Sequence, residues 1–138
     1  MHSHNTIDDC MQAMAWSLRA LACGVMPAVG PRGEVLSGKR GKAAGKPLPR
    51  AVLCEVRGDW AFYKSTYRFP QHNENAGICW RCNCTPQNFR EVSSTAAWRN
   101  NRLSHWQLLE RMLSLGQSIS PIFAAPFVRS SIFAVDWL

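Results

Sequence analysis

The sequence predicts an α/β fold, rich in helix and poor in strand. Three observations lead there: a long amphipathic stretch at the start, a capped amphipathic segment late in the chain, and two short apolar runs that each close on an aspartate. With 138 residues, the chain has the size of one domain with a modest core.

The elements follow in order. Ile7, Met11, Met14, Leu18, Leu21 and Val25 recur at spacings of four and three, which puts them on one stripe of a helix. Thr6 with Asp9 resembles a capping box, and Gly24 and Pro27 supply the stop, so residues 1–29 form an N-terminal helical segment. Residues 30–50, "GPRGEVLSGKRGKAAGKPLPR", are glycine-rich and basic, with little that is large and apolar. This composition predicts a flexible loop.

Ala51 to Val56 is apolar except for Glu55, the pattern of a buried strand, and Gly58 and Asp59 end it. Asp59 then caps a short helix that carries Trp60, Tyr63 and Tyr67 on one face and stops at Pro70. In "TPQNFREV", Thr85 as cap and Pro86 at the first helical position predict one helical turn. In "LSHWQLLERMLSLG", Ser104 and Gln107 form a capping box, Leu103 and Leu108 a staple, and Gly116 stands where a C-terminal cap belongs. "SSIFAVDWL" reads as a second short buried strand, ending at Asp136. Cys10, Cys23 and Cys54 fall inside helix or strand patterns and read as small core residues.

A formal charge of +7 favours polyanionic partners, nucleic acid before acidic membrane surfaces. Arg32, Lys39, Arg40, Lys42, Lys46 and Arg50 are the candidate nucleic-acid contacts, able to track a phosphate backbone by counterion release. No apolar run is long enough to span a membrane, and the N-terminus lacks the basic and apolar regions of a signal peptide. The expectation is an intracellular protein, nuclear if it binds DNA. In a reducing compartment a CxxC pair reads as metal-binding or redox.

The stretch 69–86 holds His72, Cys79, Cys82 and Cys84. Cys79-Trp-Arg-Cys82 can present two thiolates to one zinc ion, which favours four tetrahedral ligands. A complete structural site takes His72, Cys79 and Cys82, with His105 or Cys84 in the fourth place. The redox reading is weaker, because this CxxC follows a polar loop rather than opening a helix after a strand. Asp59 and Asp136 each close an apolar run, where carboxylates at a sheet edge can hold Mg²⁺ for in-line phosphoryl transfer. Helix capping is the commoner use of an aspartate at the position of Asp59, and Asp136 reads equally as an exposed terminal residue.

Taken in order, "VLCEVRGDW", "HNENAGICWRC", the region of Trp98, Arg102 and His105, and "SIFAVDWL" resemble the middle of transposase-derived proteins of the CACTA (En/Spm-like) cut-and-paste type. There, a strand ends in an aspartate followed by a short helix, a histidine and a CxxC lie in an insertion, and a later D-x-x-H marks the next strand. The resemblance covers about residues 50–138 and implies a partial RNase H-like core over 51–138, whose family cuts and joins DNA with two divalent ions. It matches Asp59 to the second acidic position, Asp136 to the aspartate of D-x-x-H, Cys79 and Cys82 to the CxxC, and His72 to the preceding histidine. Two departures stand out. No strands precede Val52 to supply the first aspartate, since Asp8 and Asp9 lie at a helix start, and the sequence stops before the family's later histidine. The expectation is an incomplete RNase H-like core with a Cys/His loop and flanking helices: a truncated, inactive remnant of a DNA transposase, retaining non-specific nucleic-acid affinity. Mg²⁺ enters only with a complete acidic set. The alternative is a small zinc-supported binding module without enzymatic ancestry.

Overall fold

The computed structural model describes residues 6–70 and 79–135; His72 and Asp136 lie outside the described residues. The chain is a mixed helix and strand protein whose contacts group into two compact units, Met1–Cys54 with Ser120–Val128, and Glu55–Ile119 with Arg129–Leu138.

The first unit is built on α1 (Thr6–Cys23), which packs against a 3-10 turn at Pro121–Ala124. The turn contributes Ile122 and Phe123 to the core, and Ala125 and Val128 follow them inside. The buried side of α1 differs from the expected stripe. Met11, Ala15 and Ala20 face inward, while Ile7, Met14 and Val25 are exposed. The apolar surface of this helix is wide, and its alanines let a neighbouring backbone approach closely, so side-chain size did not mark the buried face. Gly24 ends α1 with φ of 70°, a left-handed conformation that glycine adopts without strain, and its N–H donates to Ala20 O at 2.9 Å.

The basic stretch after it, expected as a flexible loop, contains a short helix α2 (Gly38–Gly41) and folds back along the end of α1. Met26 donates to Lys46 O, Gly45 to Met26 O, Leu36 to Ala28 O and Leu48 to Gly24 O, all within 2.8–3.0 Å. Side chains of α1 anchor the same stretch: Trp16 Nε1 donates to Val29 O at 2.8 Å and Gln12 Nε2 to Pro31 O at 2.9 Å.

The second unit holds a two-stranded parallel sheet of β1 (Val56–Gly58) and β2 (Phe133–Val135). The expected strand from Ala51 is shorter than its composition suggests: residues 51–55 form no strand, and Val52 is 50% exposed. A strand persists only where its backbone finds a partner, and β2 offers three residues. Cys54 is therefore exposed, as are Cys10 and Cys23, against the expectation that all three are core residues.

Between the strands run α3 (Trp60–Tyr67), α4 (Ala97–Asn100) and α5 (His105–Ser114). α3 and α5 start where their capping residues predict. Ser104 Oγ accepts from Gln107 N–H at 3.2 Å while Gln107 Oε1 accepts from Ser104 N–H at 2.9 Å, the reciprocal capping box. Gly116 closes α5 with φ of 70°, and Gln117 N–H to Met112 O with Gly116 N–H to Leu113 O complete a Schellman motif. After Thr85 the chain makes a single helical turn that does not continue: Thr85 O accepts the Phe89 N–H at 3.0 Å, and the Asn88 side chain takes the Thr85 N–H at 2.7 Å. α4 carries no side-chain cap, and nothing in the sequence announced it. The core of this unit is aromatic, built from Tyr63, Tyr67, Phe69, Trp80 and Phe133, with Leu108 and Met112 inside from α5.

Candidate functional site

The parallel ladder pairs Val56 with Phe133, Arg57 with Ala134 and Gly58 with Val135. Asp59 and Asp136 are the residues that follow this last pair in the sequence, Asp136 outside the described residues. Asp59 caps α3: with φ of −81° and ψ of 173°, its carboxylate accepts the Phe62 N–H at 2.6 Å. The cap holds α3 close over the strand end, since a Cβ on Gly58 would lie 2.6 Å from Phe62 Cδ1.

One turn into α3, the fully buried Tyr63 ties the two strands together. Its hydroxyl donates to Val56 O at 2.8 Å and also lies against Ala134 O. The ring sits edge-on to Phe133 and Trp80, with centroids 5.8 and 5.1 Å away, and Phe69 stacks on Trp80 at 5.2 Å. The strand ends are thereby set by an aromatic cluster on one side and a tyrosine clip across the pair. A cleft of about 370 Å³ opens beside them, lined by Trp60, Cys79, Trp80, Arg81, Ala134 and Val135.

The cysteine knuckle borders this cleft. Cys79 Sγ accepts the Arg81 N–H at 3.3 Å, and Arg111 Nη1 donates to Cys79 O at 3.3 Å. Burial pushes the Cys82 thiol up to about 12, helped by a hydrogen bond to Cys79 and by the neighbouring sulfur charge. Burial also raises Cys84, with a smaller contribution from Cys79. The Cys82 backbone bridges to Arg102, and flanking bonds from Leu103 N–H to Arg81 O and from Asn83 N–H to Asn101 O zip the two segments antiparallel.

His105 sits buried at the start of α5, where its Nδ1 accepts the Ser130 N–H at 3.3 Å. Burial and then the Arg129 charge lower its pKa, so the neutral ring with an acceptor Nδ1 is favoured. In that tautomer the proton resides on Nε2, and a metal at Nε2 would require Ser130 to give up its bond. Cys79 and Cys82 are the two residues here whose type suits zinc positions. No group of three or more His, Cys, Asp or Glu gathers as a metal-holding cluster among the described residues. The Asp59 carboxylate is engaged as the cap of α3.

All six candidate nucleic-acid residues are exposed in the first unit. Arg32 pairs with Asp9 at 3.1 Å. Lys39 and Arg40 lie on α2, Lys42 is its C-terminal cap, and the Arg50 side chain lies across Gly24. Apart from Arg32, they meet no carboxylate at ion-pair distance among the described residues. The structure also reveals a basic cleft that the sequence reading gave no role: Arg81, Cys82, Trp98, Arg99 and Arg102 line a hollow of about 300 Å³. The clue in the sequence was the interleaving of arginine and tryptophan in "CWRC" and "AWRNNR".

No helix among the described residues is long and apolar enough to cross a membrane. No protein-family model, curated protein or solved structure matches the chain.

Proposed function

We propose that the chain is a catalytically silent derivative of a DNA transposase of the CACTA type, with a partial RNase H-like core and residual affinity for nucleic acid. The observation that carries this reading is the parallel pairing of β1 with β2 in a register that sets Gly58 opposite Val135, directly before Asp59 and Asp136 in the sequence. RNase H-like catalysis gathers carboxylates at neighbouring strand ends so that they share metal ions. The silence follows from an incomplete acidic set: among the described residues only helices precede β1, so no earlier strand supplies a first aspartate. The exposed cations from Lys39 to Arg50 supply the affinity, through release of counterions from phosphates.

Titration of labelled duplex DNA tests the reading. The expected binding is sequence-independent, weakens steeply with salt, and drops in K39Q/R40Q/K42Q. Duplex affinity that is absent or unchanged in that variant would overturn the nucleic-acid part. A Mn²⁺-dependent nicking activity lost in Asp59→Asn would overturn the silence.

The closeness of the Cys79 and Cys82 side chains, which share a hydrogen bond, carries a second reading, a zinc-supported binding module. Stoichiometric zinc in the purified chain, lost together with the fold in Cys79→Ser, supports it; a metal-free chain that folds normally rules it out.

A further inference from the structure

We propose that the cleft walled by Arg81, Trp98, Arg99 and Arg102 binds single-stranded nucleic acid, its arginines on the phosphates and its tryptophan beside a base. The inference deepens the nucleic-acid reading above and rests on it, but places a separate surface in the second unit.

The positive charge is concentrated. Three guanidinium groups line the hollow of about 300 Å³, no carboxylate lines it, and none of the three meets a carboxylate at ion-pair distance among the described residues. Arg81 and Arg102 also wall an adjoining hollow of about 80 Å³ that is completed by Leu103, Ser130 and Ser131. The two hollows share the Arg81 and Arg102 wall, so together they offer consecutive places for anionic groups, with serines as extra phosphate donors.

The backbones that carry the arginines, and the Trp98 and Arg99 side chains, are held in place before any ligand arrives. Leu103 N–H to Arg81 O at 2.9 Å and the Cys82 to Arg102 bridge keep the arginine-bearing segments side by side. Trp98 Nε1 donates to Glu91 O at 3.1 Å, which sets the indole. Arg99 lies over that ring at 4.9 Å and donates to Val92 O at 3.3 Å. Pre-organised arginine reduces the ordering cost of binding, and its planar fork matches phosphate oxygens. An aromatic ring interleaved with arginines suits unpaired bases, which expose their faces, whereas duplex bases are stacked away. A recessed hollow also admits a single strand more readily than the wide rod of a duplex.

The test is fluorescence anisotropy of a labelled oligothymidylate, with the full chain titrated in at several salt concentrations. R81Q/R102Q is expected to bind it about tenfold more weakly, with a log–log salt slope shallower by about 1.4. R81K/R102K should keep the slope and lose part of the affinity, with circular dichroism of both variants expected to match the parent chain. Duplex affinity should stay at the wild-type level in R81Q/R102Q and fall in K39Q/R40Q/K42Q. If duplex binds through the basic segment but R81Q/R102Q holds oligothymidylate as wild type does, the cleft is excluded and the transposase reading survives. If only the duplex result fails, the basic-segment reading falls and the cleft stands. Equal weakening of duplex and single strand in R81Q/R102Q, or displacement of the oligonucleotide by inorganic phosphate or polyglutamate at matched charge, would overturn the proposal.

Discussion

Single side chains carry most of the chemistry of the strand-end region. Asp59 is a cap in the structure, as the sequence reading allowed, and Asp59→Ala is expected to lower stability by about 1 kcal/mol in a denaturant melt. No loss would mean that Phe62 N–H has another acceptor. Tyr63 was legible as a face residue of α3 but not as the clip between strands, because a hydroxyl reaching two carbonyls is set by tertiary contacts that no local pattern encodes. Tyr63→Phe leaves those carbonyls short of a donor and should cost about 1–3 kcal/mol. His105 and Cys82 bring opposite pH dependences. With its folded pKa below 6.5, His105 protonates first in the unfolded chain, so stability falls as pH drops through 6.5. His105→Gln should flatten that acid limb of the pH–stability curve. Cys82, raised from 9.0 to about 12, ionises first in the unfolded chain, so stability falls as pH rises between those values. At pH 8, alkylation mapped by mass spectrometry should label exposed Cys10, Cys23 and Cys54 before Cys82 and Cys84; a faster Cys82 would point to a cation beside it.

The elements differ in how far their local signals decide them. α3 and α5 were legible because a cap, an apolar face and a stop coincide within each segment. Gly116 illustrates the strength of such signals: nothing lies within 4 Å of an added Cβ, yet φ of 70° remains unfavourable for alanine. Gly116→Ala should therefore cost about 1 kcal/mol in a thermal melt, and an unchanged melt would show that the Schellman turn contributes nothing. α1 was legible as a helix but not in its orientation, since Ala15 and Ala20 carry no size signal and their side is set by tertiary packing, the turn at Pro121–Ala124 included. The strand at Ala51 failed for a related reason. Its composition suits a strand, but pairing depends on a distant partner, and the ladder stops at Val56.

At the scale of the whole molecule, two short strands far apart in sequence meet in parallel, and an aromatic cluster holds them. Phe133 is buried against Tyr63, Tyr67 and Phe69, so Phe133→Ala should destabilise its unit by about 3–5 kcal/mol. The cysteine knuckle was visible in the sequence as a motif, but the arginine cleft beside it was not. Arg81 and Arg102 are 21 positions apart, and their segments are joined by the Cys82 to Arg102 bridge and the Leu103 N–H to Arg81 O bond. The transposase account depends above all on the two aspartates that follow the paired strands. The most direct measurement is the separation of the Asp59 and Asp136 carboxylates in crystals of the chain. The account predicts about 8 Å or less, the range over which strand-end carboxylates can share a pair of metal ions. Aspartates pointing to opposite sides of the sheet, well beyond that distance, would contradict it.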